Sequence, residues 1–203
     1  YGGGVIQALG SAYGGVFGSA PWNVTGTGIL VSGTGSRIET QDGALQLYGD
    51  GGEFSSGSNK RGVHVDAGGA IRSFGSGALY VNGNGYGDGG GTGGNVGILV
   101  SGTGSRIEST YGGYLSVVGS GGNGDDNNVG VKVLAAGRIE VYGGGTLYLD
   151  GSGGGSGSGA GNHGVHVSGS NSAIVVTDGN GPFTVSGDAG GNGSAGTSHG
   201  IVV

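Results

Sequence analysis

Residues 28–39, GILVSGTGSRIE, recur letter for letter as residues 97–108, and this identity marks an internal repeat. Diverged copies of this stretch occur elsewhere in the chain, and each copy opens with a glycine about 34 residues after the one before it. The openings are Gly28, Gly62, Gly97, Gly130, Gly164 and Gly200. The chain is therefore predicted to be one domain, 1–203, with repeats 28–61, 62–96, 97–129, 130–163 and 164–199 and partial coils 1–27 and 200–203.

Each repeat contains three short segments with the pattern of β-strands. The first is a triplet such as Ile29-Leu30-Val31, in which the outer residues are always Ile or Val and the middle residue varies. The second segment centres on one apolar column, and the third reads Gly-x-apolar-x-apolar-x-Gly. A stretch rich in Gly, Ser, Asn and Asp then leads into the next repeat. The apolar column of the second segment is Ile38, Ile71, Ile107, Ile139 and Ile174.

The repeat pattern predicts an all-β fold, because no apolar residues follow a period of 3.6 and glycine interrupts every short segment. We expect a right-handed parallel β-solenoid with about 34 residues and three strands per coil. Ile107 and Leu115 are expected to face the core. Corner glycines such as Gly49 and Gly119 are expected where φ is positive or where two backbones approach closely. The Gly-rich stretches are expected to be surface loops on one edge.

The two chain ends fit the same scheme. Residues 4–10 match residues 43–49 position by position, which predicts a third strand, followed by a long loop over residues 11–27. Residues 200–203 match the start of a first strand. Since the chain starts at Tyr1, we expect a processed product or an excerpt. Coils are expected to continue past both ends, through a second copy stacked head to tail or through a longer polypeptide. The residues expected to take part are Val5, Ile6, Trp22, Ile201, Val202 and Val203.

Composition excludes several classes of protein. The chain has 60 Gly but only 2 Pro and no strict Gly-X-Y period, which excludes collagen. Charged residues make up 10% of the chain and the net charge is −6, so no basic surface for nucleic acid is expected. No apolar run is long enough to predict a membrane span. Cysteine is absent, which excludes disulfides.

The second segment carries most of the charge. One column contains Glu39, Arg72, Glu108 and Glu140, and the column beside it contains Arg37, Arg106 and Arg138. We interpret these columns as a solvated face with weak ion pairs: Glu39, Arg72 and Glu108 alternate in sign along the stack, and Arg106 can pair diagonally with Glu108, as Arg138 can with Glu140. The alternative interpretation is a carbohydrate-binding or catalytic face.

Other polar residues are weaker candidates for sites. His64 and His166 occupy the same strand position, whereas His163 and His166 are close enough in sequence to meet at one edge. No four-ligand metal pattern occurs, and no cofactor is predicted. Residues 121–129, GGNGDDNNV, approach a calcium-binding solenoid repeat, which makes Asp125 and Asp126 a calcium candidate without a tandem copy. Asn23 and Asn192 lie in N-x-[ST] sequons.

The GxLxVxG-like pieces, GALQLYG at 43–49 and GTLYLDG at 145–151, together with the GILV and GVHV openings, resemble repeats of large secreted bacterial β-solenoid proteins. Those proteins are autotransporter passengers and filamentous-haemagglutinin-type adhesins. The resemblance implies an extracellular or cell-surface structural protein that forms or belongs to a filament, with itself as partner and no catalysis. One alternative is an adhesin that binds a polysaccharide or host surface, and another is a polysaccharide-degrading β-helix enzyme.

Overall fold

The computed structural model describes residues 5–9, 14–19, 26–52, 58–86, 93–155, 159–178, 181–191 and 197–203. These residues form 18 β-strands arranged as three parallel six-stranded sheets. The chain visits the three sheets in rotation, so one strand from each makes a coil. The predicted parallel β-solenoid with three strands per coil is confirmed. The described ranges contain no helix, and hence none that is long and apolar enough to cross a membrane.

The three sheets are numbered by the place of their strands in the repeat. Sheet 1 contains β3 (Thr27–Ser32), β6 (Arg61–Asp66), β9 (Val96–Ser101), β12 (Val129–Leu134), β15 (Val165–Ser168) and β18 (Ile201–Val202). Sheet 2 contains β1 (Val5–Leu9), β4 (Arg37–Gln41), β7 (Ala70–Phe74), β10 (Arg106–Ser109), β13 (Arg138–Val141) and β16 (Ala173–Val176). Sheet 3 contains β2 (Gly14–Ser19), β5 (Leu45–Asp50), β8 (Leu79–Asn84), β11 (Tyr114–Ser120), β14 (Thr146–Ser152) and β17 (Phe183–Asp188).

The N-terminal strands differ from the sequence prediction. Strand β1 pairs with β4 in sheet 2, with Ile6 opposite Ile38, so residues 4–10 contain a second strand and not a third. The third strand of that coil is β2, which lies inside the stretch predicted to be a loop and pairs with β5. Residues 5–9 and 14–19 therefore supply both a second and a third strand. Trp22 lies outside the described residues.

The core is a stack of identical layers. Each coil contributes apolar side chains from all three sheets, and in the central coil Ile98, Ile107 and Leu115 are completely buried. Parallel pairing keeps every column in register, with Ile107 between Ile71 and Ile139. The predicted inward positions are therefore confirmed. Because each layer packs on the next, the apolar area that stabilises one coil is supplied by its neighbours.

Two glycine columns face each other at the corner between sheets 3 and 1. Gly119 near the end of β11 lies directly against Gly130 in β12, and a Cβ on Gly119 would meet the Gly130 carbonyl. It would also lie 2.8 Å from Val131 Cγ2. The same close approach joins Gly49 to Gly62, Gly83 to Gly97, Gly151 to Gly164 and Gly187 to Gly200. Neither Gly49 nor Gly119 has positive φ. Of the two predicted reasons for glycine at these corners, the structure shows the close approach of two backbones and not positive φ.

A buried polar ladder follows the same corner. Asn95, Asn128 and Asn162 are fully buried, one per coil, and each side-chain oxygen accepts the backbone N–H of the residue one coil before it. Those N–H donors belong to Lys60, Asn95 and Asn128, at 3.0, 3.3 and 2.9 Å. Asparagine suits this position because its side-chain oxygen accepts a hydrogen bond from a buried backbone N–H that has no carbonyl partner in a neighbouring strand.

The described parts of the Gly-rich stretches follow the strands of sheet 3 and precede those of sheet 1, so they lie on one edge, as predicted. Backbone hydrogen bonds join these parts to one another. The N–H of Gly94 donates to Asp126 O at 2.7 Å, and the N–H of Asn127 donates to Ala160 O at 2.8 Å. These bonds stack the stretches coil on coil. The prediction of surface loops is confirmed for these residues, which lie outside the named strands, with Asp126 and Asn127 exposed. Their backbone groups are nevertheless paired from coil to coil.

Replacement of Asn128 by alanine is expected to lower the free energy of unfolding by about 1–3 kcal/mol, because the buried N–H of Asn95 loses its acceptor. The side-chain amide of Asn128 also donates to Gly124 O at 2.7 Å, and that bond is lost too. Urea unfolding monitored by circular dichroism gives the value. Ser120→Ala serves as the control, since that residue is exposed. A loss below about 0.5 kcal/mol for Asn128→Ala would show that the ladder does not stabilise the corner.

Candidate functional site

The charged face on sheet 2 is a chain of ion pairs. Arg72 Nη2 lies 2.7 Å from Glu39 Oε2, and its Nη1 lies 3.9 Å from Glu108 Oε1, so Arg72 bridges two coils. The predicted alternation of Glu39, Arg72 and Glu108 along the stack is thereby confirmed. Arg106 pairs with Glu108 at 3.0 Å within one strand. The predicted pairing of Arg106 with Glu108 and of Arg138 with Glu140 is confirmed, and each pair joins residues two apart on one strand, which point the same way.

The carboxylates of this face are buried. Glu39 and Glu108 are each 8% exposed, which contradicts the prediction of a solvated face for these carboxylates. The arginines lie over them and keep the water-facing positions, because a guanidinium can bind a carboxylate while its stem covers the strand. Arg72 also lies over the Phe74 ring, with Cζ 4.4 Å from the ring centroid. The face is therefore a closed network whose carboxylates already have cationic partners.

The last carboxylate of the face, Glu140, is also buried and also pairs with an arginine. Arg138 Nε lies 2.7 Å from Glu140 Oε2, and this hydrogen bond raises the pKa of Arg138. Tyr142 beside it has its pKa raised to about 12, first by burial and then by its hydrogen bond to Glu140. Glu108 and Glu140 lie opposite each other on β10 and β13. Two carboxylates that share a cleavage site need one to hold a proton for the leaving group. Here each accepts an arginine, which favours a structural role.

The three histidines near the last coil form a ring cluster. The His163 and His199 rings are stacked with centroids 5.7 Å apart, and the His163 and His166 centroids are 5.2 Å apart. The predicted meeting of His163 and His166 is confirmed. Burial lowers the pKa of His163 and His166, and nearby cationic side chains lower both further. The N–H of His199 donates to His163 Nδ1 at 3.1 Å, which occupies one ligating nitrogen.

The calcium candidate residues take part in the loop stack. Asp126 Oδ1 accepts the N–H of Ala160 at 2.7 Å, and the carbonyl of Asp125 accepts the Asn162 side-chain amide at 3.0 Å. Across the described ranges, no group of three or more His, Asp or Glu side chains could hold a metal ion. The two aspartates therefore join coils to each other. Asn23 and Asn192, the glycosylation candidates, lie outside the described residues.

The end of the stack formed by β16, β17 and β18 is an open apolar surface. Phe183 is 54% exposed and Ile201 is 47% exposed, although both occupy columns that are completely buried one coil earlier. Phe183 is in register with Leu147, and Ile201 is in register with Val165. This surface contains an open depression of about 390 Å³, which is lined mainly by aliphatic side chains. Ile174 and Val185 lie within it, partly buried against the core.

The same end presents unpaired strand edges. In the described stack, β16, β17 and β18 are each the last strand of their sheet, while β1, β2 and β3 are the first strands at the other end. Parallel strands carry free N–H and C=O groups along such edges, which pair readily with another strand. This open end was predicted from residues 200–203, but the contribution of Phe183 and Ile174 was not. The signal was present, because both residues lie in the last copy of a core column.

No family model, no curated protein and no solved structure matches the chain.

Proposed function

We propose that the protein is an extracellular structural protein whose coils form, or belong to, a filament built by stacking end to end. The open apolar end at β16, β17 and β18 carries this proposal. The core columns reach this end without a further layer to cover them: Ile174 is in register with the fully buried Ile139 but is itself only partly buried. Burying such columns is the main source of stability in a solenoid.

Strand order supports a second copy of this chain as the next layer. The last described strand, β18, belongs to sheet 1, whereas β1 and β2 belong to sheets 2 and 3. When one copy stacks head to tail on another, β18 of the first and β1 and β2 of the second supply the three strands of one coil. Such a contact is heterologous and does not close on itself, so it propagates into a fibre. Further residues of the same polypeptide would satisfy the same geometry.

Two other observations support a structural role. The buried carboxylates of the charged face are held by arginines, which leaves none of them poised as a proton donor. The repeats also resemble those of secreted bacterial solenoid proteins, which supports an extracellular location. Surface labelling of intact source cells with a membrane-impermeant reagent tests that location directly, and labelling only after lysis would contradict it.

Ile201→Asp is expected to reduce end-to-end association at least about tenfold, because it places a carboxylate in the apolar contact without an opposite charge. Sedimentation velocity over a concentration series measures the association. Tyr148→Asp is the matched control, since Tyr148 lies on the outer surface of an inner coil. A wild-type protein that stays strictly monomeric at high concentration would rule out stacking of this chain. Equal association of wild type and Ile201→Asp would place the contact elsewhere.

A further inference from the structure

A groove runs along the outer surface of sheet 1, between the sheet and the Gly-rich edge. Its volume is about 560 Å³. The sheet side includes Arg61, His64 and Lys132, and the loop side includes Asn59 and Asn127. The groove therefore crosses strands β6, β9 and β12, and it includes His64, Leu99 and Lys132, the variable middle residues of three first-strand triplets. Neither the charged face nor the open end shares these residues.

The distribution of the seven cationic residues sets this groove apart. The four arginines of sheet 2 are paired with glutamates, and Lys60 is fully buried at the corner. The remaining two, Arg61 and Lys132, both line the groove, and within the described residues neither forms an ion pair. Burial lowers the pKa of Lys132, and the nearby Arg61 charge lowers it further.

The titratable neighbours leave the groove positive. His64 Nε2 lies 3.5 Å from Asp66 Oδ2 and 3.4 Å from Ser101 Oγ. Burial, and secondarily Arg61, lower the pKa of His64, while Asp66 raises it by a smaller amount. With His64 neutral, the charges of Arg61, Lys132 and Asp66 sum to one positive charge. The groove is thus a positive site on a molecule of net charge −6.

The rest of the lining combines an apolar floor with a polar rim. Leu99 and Val96 are nearly buried on the outer side of sheet 1 and pack with Val129 as a second small apolar cluster. Asn59 and Asn127 line the loop side. An apolar floor receives the C–H face of a sugar ring, amides bind hydroxyl groups, and separated cations bind carboxylates.

We infer that this groove binds an acidic saccharide of one or two rings, with a carboxylate held between Arg61 and Lys132. The volume is in the range of small-molecule sites, about 300–1,000 Å³. The site lies on the side of the coil stack, so the binding is compatible with end-to-end stacking and does not depend on it. It would let a fibre hold acidic polysaccharide along its length.

Isothermal titration of the whole chain with a digalacturonate tests the inference, with neutral maltose and inorganic phosphate as comparison ligands. Digalacturonate is expected to bind, with maltose at least about tenfold weaker because it makes no charged hydrogen bond. Arg61→Gln and Lys132→Gln are each expected to weaken digalacturonate about tenfold. Arg106→Gln is the control, because Arg106 belongs to the charged face and should leave the affinity unchanged.

Several outcomes would overturn the inference. Absence of digalacturonate binding would do so, as would unchanged affinity in the double variant of Arg61 and Lys132. Phosphate that binds as tightly as digalacturonate would show a general anion site and not a saccharide site. Should the variants fold poorly by circular dichroism, the salt dependence of wild-type binding decides. Affinity should fall as sodium chloride rises, since screening weakens the two cations, and a salt-independent affinity would contradict their role.

Discussion

Gly119→Ala is expected to destabilise the protein by at least about 3 kcal/mol, above the usual cost of overpacking. The added methyl would meet the Gly130 carbonyl, which belongs to backbone and cannot rotate away. Room could be made only by opening the corner between β11 and β12. That movement would also disturb the hydrogen bonds from β11 to β8 and β14 on either side. Urea unfolding followed by circular dichroism measures the loss.

Gly144→Ala is the matched control for this substitution. Gly144 has φ of +83°, and a methyl group added there would meet no atom within 4 Å, so only backbone strain of about 1–2 kcal/mol is expected. The comparison separates close approach from backbone conformation. Gly119→Ala with a smaller loss than Gly144→Ala would contradict the account of the corner, and would show that the two backbones separate easily.

Ile107→Ala is expected to lower the free energy of unfolding by about 2–5 kcal/mol, through lost transfer energy and the cavity left behind. Ile107 is fully buried, and its neighbours above and below in the column are Ile71 and Ile139. The adjacent layers are held by their own strand pairing, so the cavity can close only in part. Guanidinium unfolding at equilibrium provides the measurement.

Leu30→Ala provides the surface comparison for Ile107→Ala, because Leu30 is the exposed middle residue of its first-strand triplet. Its loss should stay within about 0.5 kcal/mol. An Ile107→Ala variant that also loses less than about 0.5 kcal/mol would mean that the isoleucine column does not face the core.

The core residues could be predicted from the sequence because the same pattern of apolar residues occurs in each repeat. One triplet such as Val131-Lys132-Val133 is ambiguous alone, but its alignment with Ile98-Leu99-Val100 identifies which positions face inward. Parallel pairing then places aligned residues side by side. This is why the strand rotation and the columns of Ile107 and Leu115 were correct, while the hand of the winding stays a prediction.

The N-terminal coil was assigned wrongly because local pattern does not identify the partner strand. Residues 5–9, VIQAL, fit the third-strand pattern, yet they pair with Arg37–Gln41 in sheet 2. The better guide was the glycine column of the corner. Gly18 pairs with Gly49, and this column marks Gly14–Ser19 as the third strand.

The polar features were missed for a different reason. The buried asparagines stand two residues before the glycine that opens each repeat, as Asn95 does before Gly97, so the signal was present in the alignment. The Gly-rich sequence around these asparagines is typical of an exposed loop, so their burial was not predicted. The burial of Glu39 depends on where long side chains lie, and so does the position of Arg61 and Lys132 in the groove. The spacing of residues along strands does not determine the path of a long side chain.

Fibre diffraction from oriented, concentrated protein tests end-to-end stacking most directly. Six strands per sheet at about 4.8 Å predict an axial repeat of about 29 Å for head-to-tail copies, together with a strong meridional reflection near 4.8 Å. Ile201→Asp should abolish both under the same conditions, while Tyr148→Asp should retain them. Protein that yields no oriented fibres, or fibres without the axial reflection near 4.8 Å, would contradict the proposal that these coils stack into a filament.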